Sequence, residues 1–167
     1  MAVKPHPPRV GSFTRRISWL VSTKPGSWFY VNVSMRVDRK LMPATRGRLR
    51  MSLGMPSILL THRGAKSGIA RTTPILYFTD GDDVVLVASN GGAPKHPAWL
   101  HNLRAHPDVQ LSTDGRPAPY VAREADGAER ARLWRAACEM YPGFGVYQDR
   151  AGKRQIPVVV CSPRRAA

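Results

Sequence analysis

The sequence predicts an α+β, barrel-like fold of about six antiparallel strands interrupted by two helices. Three observations carry this. Short apolar, β-prone runs recur from residue 57 onward: SILLTH (57–62), TPILYFT (73–79), VVLVAS (84–89), VQLST (109–113), PYVARE (119–124) and IPVVVCS (156–162). Only two helical patterns break the succession, so the chain is not a run of βαβ units and a doubly wound nucleotide fold is disfavoured. A length of 167 residues suits one domain around one core.

The elements follow in chain order. Residues 1–11 contain Pro5, Pro7 and Pro8, which deny regular structure, and are expected to form a disordered basic tail. Residues 12–56 are expected to form a basic helical arm, in which Phe13, Ile17, Leu20 and Val21 share one helical face, Trp19 flanks it, and Arg15 and Arg16 point away. Over 30–38, Val31, Val33, Met35 and Val37 alternate with polar residues, a period of two that by itself argues strand. The basic run that follows argues helix, and helix is the expectation. The first three strand runs, joined by turns rich in Gly or Asp, imply an antiparallel meander. Pro97 then opens a short helix that reaches Ala105 and stops at His106-Pro107. The next two runs meet at a Thr113-Asp114-Gly115 turn. Asp126 and Glu129 have capping-box spacing and open a helix to about Met140, with Arg130, Leu133, Trp134, Ala137, Cys138 and Tyr141 on one face. Pro142 and Gly143 end it, and a short aromatic stretch, FGVYQ (144–148), leads into the last strand.

The net charge of +15 is unevenly placed: residues 1–56 hold eleven Lys/Arg against the single acid Asp38, hence +10 of it. Such an arm attracts nucleic acid, anionic lipid or an acidic coenzyme alike, because the attraction is Coulombic. Cys138 and Cys161 have no CxxC or flanking His pattern and are expected to be buried, reduced thiols. No apolar run approaches the ~18 residues of a membrane span, and the start lacks the apolar stretch of a signal peptide. The expectation is a cytoplasmic protein.

Three segments could carry chemistry. The loop Arg63-Gly64-Ala65-Lys66-Ser67-Gly68, with Arg71 beyond it, combines two glycines able to present backbone N–H groups, a hydroxyl and cations, the parts of a phosphate cradle. It is not a Walker A loop, which needs Gly where this chain has Ala65 and Leu60; a plain basic hairpin turn is the equal alternative. The run Ser89-Asn90-Gly91-Gly92-Ala93-Pro94-Lys95-His96-Pro97 joins a strand end to a helix N-terminus, where unpaired N–H groups and the helix dipole favour an anion; a simple connection is the alternative. Tyr141, Phe144 and Tyr147, with Trp99 on the earlier helix, could roof an aromatic ring or pack in the core. Metal and nucleophile chemistry find no support: His6, His62, His96, His101 and His106 form no HExxH pattern, and there is no GxSxG.

Four segments, LLTHRGAKSGIARTTPILYF (59–78), VLVASNGGAPKHPAWLHNLRAHPDVQL (85–111), GAERARLWRAACEMYPGFGVYQ (127–148) and IPVVVC (156–161), together resemble the deazaflavin (coenzyme F420)-dependent nitroreductase and quinone reductase family of actinobacteria. The resemblance implies a split β-barrel of the FMN-binding-like type over 57–163, and it favours helix over 30–38. It implies coenzyme F420 (8-hydroxy-5-deazaflavin) as cofactor and hydride transfer to a quinone-, enone- or nitroaromatic-like acceptor. By the same pattern Lys66, Ser67, Gly68 and Arg71 would hold the phosphate end. Thr73, Pro74, Ile75, Leu76, Ala88, Ser89 and Asn90 would line the ring system, with Trp99 and Asn102 behind it. Gly91, Gly92 and Lys95 would complete the coenzyme site. Tyr141, Phe144 and Tyr147 match positions that cover the acceptor; Tyr141 is expected to donate a proton to the acceptor or to orient it. The sequence departs from the familiar pattern at Ala65, where relatives often carry Arg, at Asn90, where some carry Lys, at Leu100, where Tyr is common, and at Phe144, where Tyr is an expected alternative. The expected partners are a flat hydrophobic acceptor and, through 12–56, an anionic surface at the inner face of the cell membrane; nucleic acid is not expected. The alternatives are an FMN- or tetrapyrrole-linked barrel and a non-catalytic basic protein that binds nucleic acid or membrane.

Overall fold

The computed structural model describes residues 55–164, together with Val3, 5–8, Thr23, Gly26, Val33, Val37, Leu41 and Thr45. Six strands, β1 (Ser57–Arg63), β2 (Ala70–Asp80), β3 (Asp83–Val87), β4 (Asp108–Ser112), β5 (Ala118–Glu124) and β6 (Val158–Pro163), close into a barrel in the order β1-β2-β3-β6-β5-β4. Every pairing is antiparallel, and β4 returns to pair with β1. Closure leaves no unpaired sheet edge. The meander expected from the first three apolar runs is β1-β2-β3.

Alternation within the strands builds two cores. Ile58, Leu60, Ile75, Leu86, Leu111 and Val159 face the barrel interior, which α1 (Ala98–Ala105) covers with Trp99, Leu100 and Leu103. The opposite phase of β2, β3 and β6 (Leu76, Phe78, Val85, Val87, Val158 and Val160) faces outward onto α2 (Gly127–Met140) and α3 (Gly143–Ala151). Those three strands are buried on both faces, which is why their sequences read as continuous apolar runs instead of alternating ones.

Three features depart from expectation. The aromatic stretch 144–148 lies inside a third helix, α3. Pro142 does break α2, but its φ of −55° also suits the start of a helix, so the Pro-Gly pair ends one helix and opens the next. Asp126 is the N-cap of α2 as expected, yet its side chain makes no capping bond; Glu129 turns instead to Arg123, at 2.6 and 2.7 Å, so the capping box does not form. The last strand begins at Val158, because the Ile156 N–H donates to Gln148 Oε1 (2.9 Å) and not to a ladder.

At the start of the chain the described residues touch the barrel. Val3 joins the inner core and its N–H donates to the Tyr120 hydroxyl (3.3 Å), while His6 N–H donates to Thr79 Oγ1 (2.9 Å). The helix expected over 13–21 lies outside the described residues; of 30–38, Val33 and Val37 are described and both are helical. Among the described residues no helix is long and apolar enough to cross a membrane. Both cysteines are free: Cys161 is buried and its thiol is pushed up to about 12, chiefly by burial, while Cys138 is half-buried.

Leu133 is the largest fully buried side chain of α2 in the outer core. Leu133→Ala is expected to cost about 2–5 kcal/mol through lost transfer energy and the cavity left behind, read as a lower urea midpoint by circular dichroism.

Candidate functional site

The β1–β2 hairpin ends in the exposed loop that carries Lys66, Ser67 and Gly68, with Arg71 at the start of β2. Its glycines do not present their N–H groups outward, contrary to the cradle expectation: Gly64 N–H donates to Ile69 O (2.9 Å) and Gly68 N–H to Gly64 O (2.8 Å). Gly68 is needed for its φ of +66°, which turns the chain back so that Arg63 Nε can donate to its carbonyl (3.1 Å). What the loop offers a ligand is therefore side chain: two exposed cations, Lys66 and Arg71, and the Ser67 hydroxyl.

Asn102 on α1 fastens this loop. Its Oδ1 accepts from Ala65 N–H (2.9 Å) and its Nδ2 donates to His62 Nδ1 (3.1 Å). His62 Nε2 in turn reaches Thr73 Oγ1 on β2 (3.2 Å). An Nδ1 that accepts requires the proton on Nε2, so this His is neutral. Burial first, and then the Arg71 charge, hold its pKa below the ordinary 6.5.

The second loop is a left-handed turn. Asn90, Gly91 and Gly92 have φ of 51°, 62° and 78°, a succession that Gly tolerates and Asn tolerates better than other side chains. Here too the N–H groups point inward, Gly92 to Ser89 O (3.0 Å) and Ala93 to Asn90 O (3.1 Å). The carbonyls are clamped by two arginines. Arg154 donates to Ala93 O (2.9 Å), Ser89 O (2.8 Å), Ala88 O (3.4 Å) and His96 Nδ1 (3.3 Å), and Arg150 donates to Gly91 O (3.0 Å). Gly92 also lies against α3: a Cβ there would stand 2.7 Å from Tyr147 O and 2.9 Å from Arg150 Cβ. The loop runs into α1 through Pro97, so α1 joins both loops into one unit.

The aromatic residues form one cluster in the outer core. Tyr141, Phe144 and Tyr147 are 2%, 3% and 4% exposed. The two hydroxyls share a hydrogen bond of 3.0 Å, which answers the cost of burying them, and Phe144 meets the Tyr141 ring edge-on at 5.0 Å. The residues expected around the ring system are divided between the two cores: Ile75 and Ala88, with Trp99 of α1, belong to the inner core, and Leu76, on the opposite phase of β2, to the outer. Thr73 and Asn102 are brought together through His62, and Lys95 is exposed beyond the second loop.

The model of the F420H(2)-dependent quinone reductases matches residues 30–163, most of the chain. The chain belongs to this family. A putative F420H(2)-dependent quinone reductase of Mycobacterium tuberculosis is 40% identical over 112 residues, 66% of this chain and 92% of that one. A second M. tuberculosis protein, an F420H(2)-dependent quinone reductase, is 37% identical over 135 residues, 78% of this chain and 90% of its own length. The solved structure of an F420-H2 dependent reductase is 39% identical, covers 64% of this chain and 94% of its own, and superposes with a TM-score of 0.59. The expected split-barrel fold, F420 dependence and oxidoreductase class are thereby borne out, and the flavin, tetrapyrrole and non-catalytic alternatives are not favoured.

The four positions at which the resemblance led to other residues being expected have distinct local settings. Ala65 is held by its backbone, so its exposed side chain is replaceable without moving the loop. Asn90 occupies a left-handed position that a Lys would strain. Leu100 is buried in the inner core, and Phe144 packs where no hydroxyl partner is required. Sequence reasoning missed His62, Arg150 and Arg154. His62 had a signal, a polar residue in the inward phase of an apolar strand; the arginines had none without α3.

Gly92→Ala is expected to destabilise the protein by about 1–3 kcal/mol, combining left-handed strain with the α3 contact. Gly81→Ala, equally left-handed (φ 61°) but with nothing within 4 Å of its Cβ position, should cost less. Paired thermal denaturation curves measure the difference.

Proposed function

We propose that this chain passes hydride from reduced coenzyme F420 to a flat, apolar acceptor of the quinone class, with enones and nitroaromatics as further acceptors. One observation carries the reading: Asn102 hydrogen-bonds α1 to the basic hairpin, the left-handed loop runs straight into α1 through Pro97, and no acid occurs in 62–79 or 88–105. The side-chain donors suit an anionic coenzyme tail, with Lys66, Ser67 and Arg71 at the phosphate end, Gly68 turning the loop beside them and Lys95 extending the positive surface. Thr73, Pro74, Ile75, Leu76, Ala88, Ser89 and Asn90 are assigned to the ring system, with Trp99 and Asn102 behind it and Gly91 and Gly92 completing the coenzyme site. When bound, the reduced deazaflavin supplies hydride from its own ring. The protein's share is orientation, exclusion of water and a proton.

Tyr141 is assigned as proton donor, with Phe144 and Tyr147 forming the acceptor wall. The hydrogen bond between the two tyrosine hydroxyls supports this, since a proton released by one can be replaced through the other. The basic segment 1–56 supports attachment to an anionic bilayer, in which an apolar quinone dissolves.

Lys66→Ala is expected to weaken coenzyme binding about ten- to a hundredfold, by loss of a charge-assisted bond to phosphate. Tyr141→Phe should leave that affinity nearly intact and lower kcat. Fluorescence titration with oxidised coenzyme, then steady-state rates with one quinone and one nitroaromatic, separate the two effects. Equal affinity of wild type and Lys66→Ala would remove the hairpin from the site, and an unchanged rate for Tyr141→Phe would reduce that residue to packing. Co-sedimentation with phosphatidylglycerol vesicles should fall steadily as salt is raised; a salt-independent fraction would exclude electrostatic attachment.

A further inference from the structure

We propose that His62 is a positioning residue: as a neutral imidazole it selects the amide orientation of Asn102 that fixes the β1–β2 loop, and so sets affinity for the phosphate end of the coenzyme. The proposal rests on the coenzyme reading above.

An asparagine amide has two orientations of nearly equal shape and opposite hydrogen-bonding sense. Ala65 N–H can only donate, so it needs Oδ1; His62 Nδ1 can only accept while Nε2 carries the proton, so it needs Nδ2. Both demands point the amide the same way. Thr73 Oγ1 holds the Nε2 proton and completes a relay from β2 through β1 and α1 to the loop that carries Lys66 and Ser67. Without an acceptor at Nδ1 the amide loses half of its reason to stay. In the reversed orientation Nδ2 would face Ala65 N–H, donor against donor.

Protonation of His62 produces that reversal. A proton on Nδ1 would confront the Asn102 amino group, and only the flipped amide could accept it, at the expense of Ala65. Among the described residues Arg71, across the β1–β2 ladder, is the charged group that acts on this imidazole, while α1 and β2 present the uncharged Asn102 and Thr73. The Arg71 charge and burial both resist protonation, so the relay holds at neutral pH. Between the lowered folded pKa and 6.5 the unfolded chain binds the proton more readily than the folded one, so stability also falls as pH falls through this window.

Two substitutions separate the roles of the ring nitrogens. His62→Asn can place an acceptor near the Nδ1 position and keep Asn102 oriented; His62→Gln reaches toward Thr73 and leaves Asn102 without its acceptor. Calorimetric titration with oxidised F420 at about pH 7.5 should show His62→Gln weakened roughly three- to tenfold and His62→Asn within about twofold of wild type. At a lower pH, taken below the depressed folded pKa of His62, wild type should drop toward His62→Gln while His62→Asn holds, titration of the coenzyme itself being common to all three. In the protein without coenzyme, long-range proton–nitrogen spectra should show His62 protonated at Nε2 only, and the Ala65 amide should exchange faster in His62→Gln than in wild type. A proton on Nδ1, unchanged Ala65 exchange, or equal affinities across the three proteins at both pH values would overturn the proposal alone. If wild type itself binds no F420, the coenzyme reading falls and takes this proposal with it. Should His62→Gln fail to fold, the comparison of wild type with His62→Asn across pH decides.

Discussion

The requirement that β2, β3 and β6 be buried on both faces governs the rest of the molecule. An interior filled by one phase of each strand leaves the other phase, Leu76, Phe78, Val85, Val87 and Val160 among them, in need of cover. Two helices provide it. To lie flat on the sheet they must turn sharply at Pro142-Gly143, and Gly143 is required there because any Cβ would collide with the Tyr141 ring. The second helix then presses on the left-handed loop at Gly92, and its Arg150, with Arg154 beyond it, clamps the loop carbonyls. The shape of the site thus follows from covering a sheet.

Charge is divided by the same architecture. Among the described residues four ion pairs, Arg104–Glu124, Arg123–Glu129, Arg132–Asp80 and Arg164–Asp108, join partly exposed side chains, and such pairs add little stability each. Their effect is one of placement, since they pair four of the eleven acids with arginines outside the hairpin. Arg150 and Arg154 are occupied by backbone oxygen and act as framework. Lys66 and Arg71 stand exposed on the remaining positive surface.

Strands were legible because doubly buried runs and Gly or Asp turns leave strong marks, and the SILLTH, TPILYFT and VVLVAS runs coincide with β1, β2 and β3 to within a few residues. The third helix was hidden: its nine residues begin with Gly-Phe-Gly, and a Pro before them reads as a stop although it also serves as a start. The glycines of both loops were legible as loop-forming but not in purpose. Sequence suggested open N–H groups, whereas the backbone needed left-handed conformations and close approach, and turned those N–H groups onto itself. Lys66, Ser67 and Arg71 could be found as a cluster because they are contiguous. The bond between Asn102 and His62, forty residues apart, could not, since only closure of the barrel under α1 brings them together.

The left-handed run at Asn90–Gly92 divides the site into a part that tolerates variation and a part that resists it. Two of its three residues have no side chain to exchange, and the third is confined by its dihedral angle, while Arg154 holds the carbonyls of Ala88, Ser89 and Ala93. Ala65, Lys66, Ser67 and Ile69 project into solvent from a hairpin whose shape is set by main-chain bonds and by Asn102. A protein engineer who wished to retune affinity for coenzymes of different tail length or charge would therefore find adjustable positions on the hairpin and a fixed template at the turn.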